Sequence, residues 1–412
     1  MSKENIITAI DIGSSKISTL IANVIDERVS VIGVSTVPSK GIKKGTVVDI
    51  DEAVEAISDS LESAERMAGY SINSAFITVG GNHIESVSSH GVVAVSNQGA
   101  EITPVDVERV TEAAQALSIP STKEIIHVIP RDFIVDKQDG IKDPIGMSGI
   151  RLEVVTEIIT ASTTSLKNLV KCVQQVGVDV EAPVFTGIAS AGSVLTSTEK
   201  ELGTVLVDIG GGTTSITIYH DTSPVYASVL PIGGQHITND LAIGLRSSID
   251  IAEQVKLKVS TVMGDEITEA DIDFAEFGLD AKDVSIKLIN QIIGERLKEI
   301  FTLVATEVNK SSYVGKVPSG IVLTGGASNT FNAVRMAKQQ LRVPVRIGTP
   351  SGVTGLIDEI QGPAYASVVG ALLYGTGFSE EKGSGINLKM IDVGNAKNLL
   401  KKVLGFVKGL MP

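Results

Sequence analysis

Tryptophan is missing from this chain, cysteine occurs once, and each shortage removes an option. With aromatic residues at 4%, the core must be built from Ile, Val, Leu and Ala. A hydrophobic content of 43% over 412 residues still suffices to bury two or more domains. A single cysteine, Cys172, excludes an intrachain disulfide and fits a reducing compartment. Its Leu-Val-Lys-Cys-Val setting places it on a buried helix face. Basic residues are outnumbered, and the net charge of −13 argues against nucleic acid as the main partner. No run approaches the ~20 apolar residues of a membrane span. Asp11 interrupts the only early apolar stretch, so no secretory signal is expected. The five histidines (His83, His90, His127, His220, His236) lack metal-ligand spacing. Walker GxxxxGK[ST], GxSxG and HExxH motifs are all missing.

What is present is a duplication. Ile10-Asp11-Ile12-Gly13-Ser14-Ser15-Lys16 and Val207-Asp208-Ile209-Gly210-Gly211-Gly212-Thr213-Thr214 share the core Asp-Ile-Gly. Each follows an apolar run and precedes an alternating stretch, so each reads as strand, tight turn, strand. Glycines and hydroxyl residues let such a turn approach an anion and offer it N–H and O–H donors. An Asp just before the turn can hold a hydrated Mg²⁺. One hairpin of this kind is common; two, separated by a domain's length of chain, point to two lobes closing on one triphosphate. Asp11 and Asp208 would then hold the metal, through water.

Between and after the hairpins the pattern alternates. Residues 6–36 read as a meander, 51–68 as an amphipathic helix and 75–80 as a buried strand. After His83 a βαββ unit follows, its helix capped at Thr103 and its strands at 91–95, 125–129 and 152–160. A Pro/Gly-rich loop, 136–149, lies inside it, and the unit reads as an insertion. Beyond it come a helix (166–176), a strand (178–182), a small-residue helix (187–195) and a polar link (197–201). The second hairpin leads to a charged helix, an acidic irregular part (265–283), a long helix (284–310) and a strand at 321–324.

These residues resemble the actin, heat-shock ATPase and sugar-kinase superfamily, and within it the FtsA family of bacterial cell-division proteins. Besides the two hairpins, Leu323-Thr324-Gly325-Gly326-Ala327-Ser328 matches the adenosine turn, and Ala252-Glu253-Gln254-Val255-Lys256 the helix that grips ribose and base. The segment 41–49, the insertion and Pro231-Ile232-Gly233-Gly234 carry the FtsA-like pattern. The resemblance implies a two-lobed α/β fold of duplicated ribonuclease-H-like domains, with an inserted α+β subdomain and a C-terminal amphipathic helix. The implied divisions are 1–83, 163–195 and 364–376 for the first lobe's core and 84–162 for the insert. The second lobe's core takes 196–247 and 319–363, its outer subdomain 248–318, and a flexible linker 377–396 precedes the tail 397–412. Read without the family, Gly325-Gly326 is a plain strand-to-helix turn and Glu253–Lys256 a surface i,i+3 pair. ATP and Mg²⁺ are the implied ligands. The family's water-orienting Gln or Glu stands near the start of a helix at 182–191. Here the strand ends Glu181-Ala182-Pro183, which puts Ala182 at that place. Glu181 is the candidate only with a one-residue shift, which reverses a strand residue's direction. Tight ATP binding with slow or absent turnover is therefore expected.

The tail suggests a second activity. On a helical wheel Leu399, Leu400, Val403, Leu404, Phe406, Val407, Leu410 and Met411 fall within an arc of roughly 160°. Lys397, Lys401, Lys402 and Lys408 take the other side, against the acidic trend of the chain. A basic amphipathic helix at a tethered end reads as an interfacial anchor for an anionic membrane. Gly405 and Gly409 would keep it from forming before it meets lipid. The resemblance adds the rest: a filament of this chain on the cytoplasmic face of the cell membrane at the division site, tethering the tubulin-like protein FtsZ and recruiting later division proteins. The rivals are a pilus- or secretion-type actin-like scaffold and a small-molecule kinase of the same superfamily.

Overall fold

The computed structural model describes residues 5–26, 28–95, 101–116, 119–261, 272–279 and 285–381. Two sheets of the same design carry it. In the first, Asn5–Ile12, Lys16–Ile25 and Arg28–Pro38 form an antiparallel meander. Ser74–Val79 joins parallel to the first strand, and Asp179–Phe185 lies outside it, also parallel. The second sheet repeats this with Thr204–Ile209, Thr214–His220 and Ser223–Leu230 as the meander. Ile321–Thr324 and Val345–Ile347 then add in parallel. In both the spatial order is fifth, fourth, first, second, third.

Strand alternation sorts the side chains. Ile10 and Ile12 pack with the helix Ile50–Ala68, whose Ile57 and Leu61 are buried. Ile7 and Ala9 face the other way, onto Val368 and Leu372 of the helix Ala366–Glu381. Asp11 shares the parity of Ile7 and Ala9, and so points toward that helix. In the second sheet Val205, Val207 and Ile209 pack with the helices Gly234–Leu245 and Ile286–Lys310. Leu206 faces instead the cluster containing Ile188 and Ala191 of the helix Thr186–Val194, and Asp208 shares its parity. The two inner helices cross in contact. A Cβ at Gly370 would lie 1.7 Å from the Ala189 carbonyl oxygen.

The insertion leaves the first sheet after Ser74–Val79 and returns before Asp179–Phe185. Its strands Glu85–Ala94, Lys123–Val135, Gln138–Ile141 and Arg151–Ser162 flank the helix Pro104–Gln115, which Thr103 and Asp106 cap reciprocally. Glu85 pairs with Ser228, so the insert's strands extend the second sheet to nine. Four expectations change. The loop 136–149 contains a strand, Gln138–Ile141, because the turn at Asp136 and Lys137 folds back on Phe133 and Val135. The polar link at 197–201 is a helix, Ser197–Leu202, because Thr196 and Glu199 form a capping box. The charged segment after the second hairpin is two helices, Gly234–Leu245 and Ile249–Ser260, split where Ser248 caps the second. The last helix runs to Glu381, through the first residues assigned to the linker. The rest of the linker and the whole tail, including Leu399 to Leu410, lie outside the described residues. No helix among the described residues is long and apolar enough to cross a membrane.

Candidate functional site

The two hairpin turns close in the same way. Gly13 N donates to Lys16 O at 3.1 Å, and Gly210 N to Thr213 O at 2.9 Å. Both turns line one cleft of about 410 Å³, a volume in the range of small-molecule sites. Asp11, Gly13, Ser14, Ser15 and Lys16 line it from one side, and Asp208 with Gly210 to Thr213 from the other. The tips meet: a Cβ on Gly211 would fall 2.6 Å from the Ser15 Cβ, and one on Gly212 2.8 Å from the Ser14 Oγ. Any side chain there would push the turns apart. Thr214 is buried behind the second turn, its hydroxyl donating to Ile232 O at 2.8 Å.

At the base of the cleft the two carboxylates are held by hydroxyls. Thr78 donates to Asp11 Oδ1 at 2.5 Å and Ser367 to Oδ2 at 2.9 Å. Ser190 donates to Asp208 Oδ2 at 2.6 Å. The support is crossed: Ser367, from the helix after the second sheet, serves the first Asp, and Ser190, from the helix after the first sheet, serves the second. Burial pushes the Asp208 carboxyl up to about 6, with the Asp11 charge adding and the Ser190 hydrogen bond opposing. Burial also lowers Lys16 to about 8, although Asp11 and Asp208 both favour its charge. Its ammonium rests 3.5 Å from the centre of the Tyr365 ring. A lysine whose charge is disfavoured by burial, beside two acids and a glycine tip, is poised to gain from an incoming polyanion.

The far end of the cleft holds Glu253, Lys256, Gly325, Gly326 and Ala327. Gly325 has φ +84°, and a Cβ would meet Asp208 Oδ1 at 2.3 Å, so the position admits only glycine. Lys256 is 8% exposed, which rules out a surface pair. It donates to Glu253 Oε2 at 2.7 Å and to Thr238 Oγ1 at 2.9 Å, and Thr238 in turn donates to Glu253.

Glu181 does not line this cleft. It sits in a bulge of the edge strand Asp179–Phe185, where the register slips between Val180 and Ala182. Ala182 is a core residue, not the start of a helix. Pro183 does not stop the strand because an edge position leaves its missing N–H without consequence. The helix begins at Thr186, and Thr186 faces the cleft, its hydroxyl 2.9 Å from Ser215 Oγ. The sequence reading also missed Thr78, Ser190 and Ser367. It missed Gln235 as well, which bridges the turns by donating its side-chain amide to Ser14 O and its N–H to Gly211 O.

Comparisons with known proteins give the family and the fold. Residues 81–160 match the family model "SHS2 domain inserted in FTSA", and residues 205–370 match "Cell division protein FtsA". The cell division protein FtsA of Pseudomonas aeruginosa is 40% identical over 376 residues, covering 90% of this chain and 89% of that one. Among solved structures, the PilM-PilN type IV pilus biogenesis complex aligns with a TM-score of 0.63 at 14% identity, over 90% of this chain and 98% of its own. MreB5 of Spiroplasma citri bound to ADP aligns at 0.53 and 13%, over 92% and 99%. These two extend the same fold to distant sequences, and the actin-like two-lobed architecture implied by the resemblance holds. Identity of this extent, together with an insert and a second lobe that each match their own models, places the chain in the FtsA family of cell-division proteins.

Proposed function

We propose that the cleft binds ATP with Mg²⁺ and that the bound nucleotide fixes the angle between the lobes, making the chain competent to polymerise. The observation that carries this reading is the meeting of two mirrored glycine turns over a buried carboxylate pair and one lysine. Asp11 and Asp208 suit a hydrated Mg²⁺, a hard cation that prefers carboxylate and water oxygens. Lys16, Ser14, Ser15, Thr213 and the N–H groups of Gly13 and Gly210 to Gly212 suit the phosphates. Glu253 suits the ribose hydroxyls, with Lys256 beside the base against Gly325, Gly326 and Ala327. The bound metal would screen the charge that the phosphates bring to the two carboxylates.

Turnover is weak or absent on this reading. The helix start near the phosphates offers Thr186, a neutral hydroxyl, where hydrolytic relatives of this superfamily are expected to place Gln or Glu. ATP then acts as an assembly cofactor. The filament sits on the cytoplasmic face of the cell membrane through the tail helix, each tail binding weakly and many together firmly. The filament holds FtsZ there, and later division proteins join it. The test is a titration of the full chain with ATP and Mg²⁺, followed by electron microscopy on anionic lipid monolayers with and without residues 397–412. Filaments on lipid only with ATP and tail support the reading. ATP-independent assembly, or lipid binding that survives removal of the tail, contradicts it.

A further inference from the structure

His127 is the one fully buried histidine of the five, and it stands at a junction. It lies on the insert's strand Lys123–Val135 and is 3% exposed. Its Nε2 accepts the Phe185 N–H at 2.9 Å. Phe185 is the N-cap of the helix Thr186–Val194 and supplies no side-chain cap of its own. The same imidazole packs edge-on against Tyr374, ring centres 5.8 Å apart at 72°. Tyr374 belongs to the helix Ala366–Glu381. One insert side chain therefore touches both crossing helices, whose Ser190 and Ser367 hold Asp208 and Asp11.

An apolar residue could fill this volume, but it would leave a buried N–H at a helix start without an acceptor. Burial lowers the imidazole to about 4, which keeps it neutral and accepting in the folded protein. With Nε2 accepting, the ring proton sits on Nδ1. Elsewhere the insert is tied to the second lobe, through Ala227 N to Ser86 Oγ and through Lys142 to Asp221. A change in the angle between lobes thus pulls His127, with the insert, against Phe185 and Tyr374.

We propose that His127 is the positioning residue that couples the inserted domain to the cleft, setting Ser190 and Ser367 on their carboxylates according to where the insert sits. The inference rests on the nucleotide reading of the cleft. Coupling of this kind is reciprocal: a partner that shifts the insert changes nucleotide affinity by the same factor by which nucleotide changes the partner's.

The experiment compares the full chain with His127→Leu and His127→Gln, by ATP·Mg²⁺ titration and by amide hydrogen exchange over 123–135 and 185–190. In the wild type, ATP should slow exchange in both segments. His127→Leu should weaken ATP binding roughly 5- to 50-fold and abolish the effect of ATP on 123–135. His127→Gln, which restores an acceptor, should recover affinity to within about 3-fold of wild type. Equal losses in both variants, or a Leu variant with wild-type affinity, overturn the inference. So does a wild-type chain that binds ATP without any change over 123–135, a result that needs no variant to fold. A wild-type chain that does not bind ATP overturns the cleft reading itself, and the coupling with it.

Discussion

The two hairpins share a backbone and divide the chemistry. Both close with the same turn hydrogen bond and both present an Asp to the shared cleft. The first turn carries side chains, Ser14, Ser15 and Lys16, while the second carries Gly210, Gly211 and Gly212. Where one protrudes the other is bare, and this lets the tips meet within a Cβ's reach. The neighbouring strands differ likewise. Thr78 turns its hydroxyl to Asp11, but its counterpart Thr324 donates to the carbonyls of Gly348 and Pro363. Asp208 is left with Ser190, and burial dominates its acidity. Duplication supplied the frame, and divergence at a handful of positions made the halves complementary.

The largest effect should come from removing that complementarity. Gly211→Val should cost ATP affinity on the order of 100-fold, since overpacking by a side chain costs about 3 kcal/mol. Adding Ser15→Gly should recover part of the loss, because it clears the atom the new Cβ meets. An isothermal titration of the single and double variants decides this, and no recovery would break the picture of meeting tips. Next, Lys16→Ala should weaken binding about 30-fold, the worth of a charge-assisted contact, against only a few-fold for Thr213→Ala. Equal losses would deny that the first turn carries the charge recognition.

Equivalent substitutions at the two acids should have opposite signs in the ligand-free protein. Asp208→Asn removes a buried charge that folding disfavours. Its folded acidity near 6 lies above the unfolded value of 3.8, so its penalty grows as pH rises between them and is complete above about 6. The variant should gain on the order of 3 kcal/mol at pH 7.5 and about half of that at pH 5. Asp11→Asn leaves Thr78 and Ser367 competing for one carbonyl oxygen, and should lose about 1–2 kcal/mol. Denaturant melts at both pH values check the pair, and both variants should lose the benefit of Mg²⁺ on ATP binding. The smallest effect is a fraction of a proton. Phosphates restore the charge that burial suppresses on Lys16, so binding at pH 8.5 should take up protons, fading below pH 7. Calorimetry in two buffers of different ionisation heat measures it.

Much of this was legible in the sequence because it is local. Asp-Ile-Gly followed by small residues, Leu-Thr-Gly-Gly, and Glu253 one turn from Lys256 each sit within a few residues, and one cleft collects them all. Helix and strand positions followed from periodicity, and the cap at Thr103 from its own four residues. Thr78, Ser190 and Ser367 carried no such mark. Single hydroxyls 67, 18 and 356 residues from the carboxylates they serve leave no spacing to read. The misplaced helix start at 182 had a different cause. Pro183 looks like a stop signal, and only the sheet's order shows that its strand is an edge where proline is tolerated.

The crossing of the helices at Gly370 and Ala189 has a mechanical consequence. With no side chain interposed, backbone bears on backbone, and the contact is a fulcrum. A swing of one lobe against the other displaces atoms in proportion to their distance from it. Ser190 and Ser367 lie one and three residues from the crossing and travel least, so a large swing reaches the carboxylates only as a fine adjustment of their hydroxyls. The rim of the molecule, at the long end of the lever, would turn a small change in the cleft into a large change of shape.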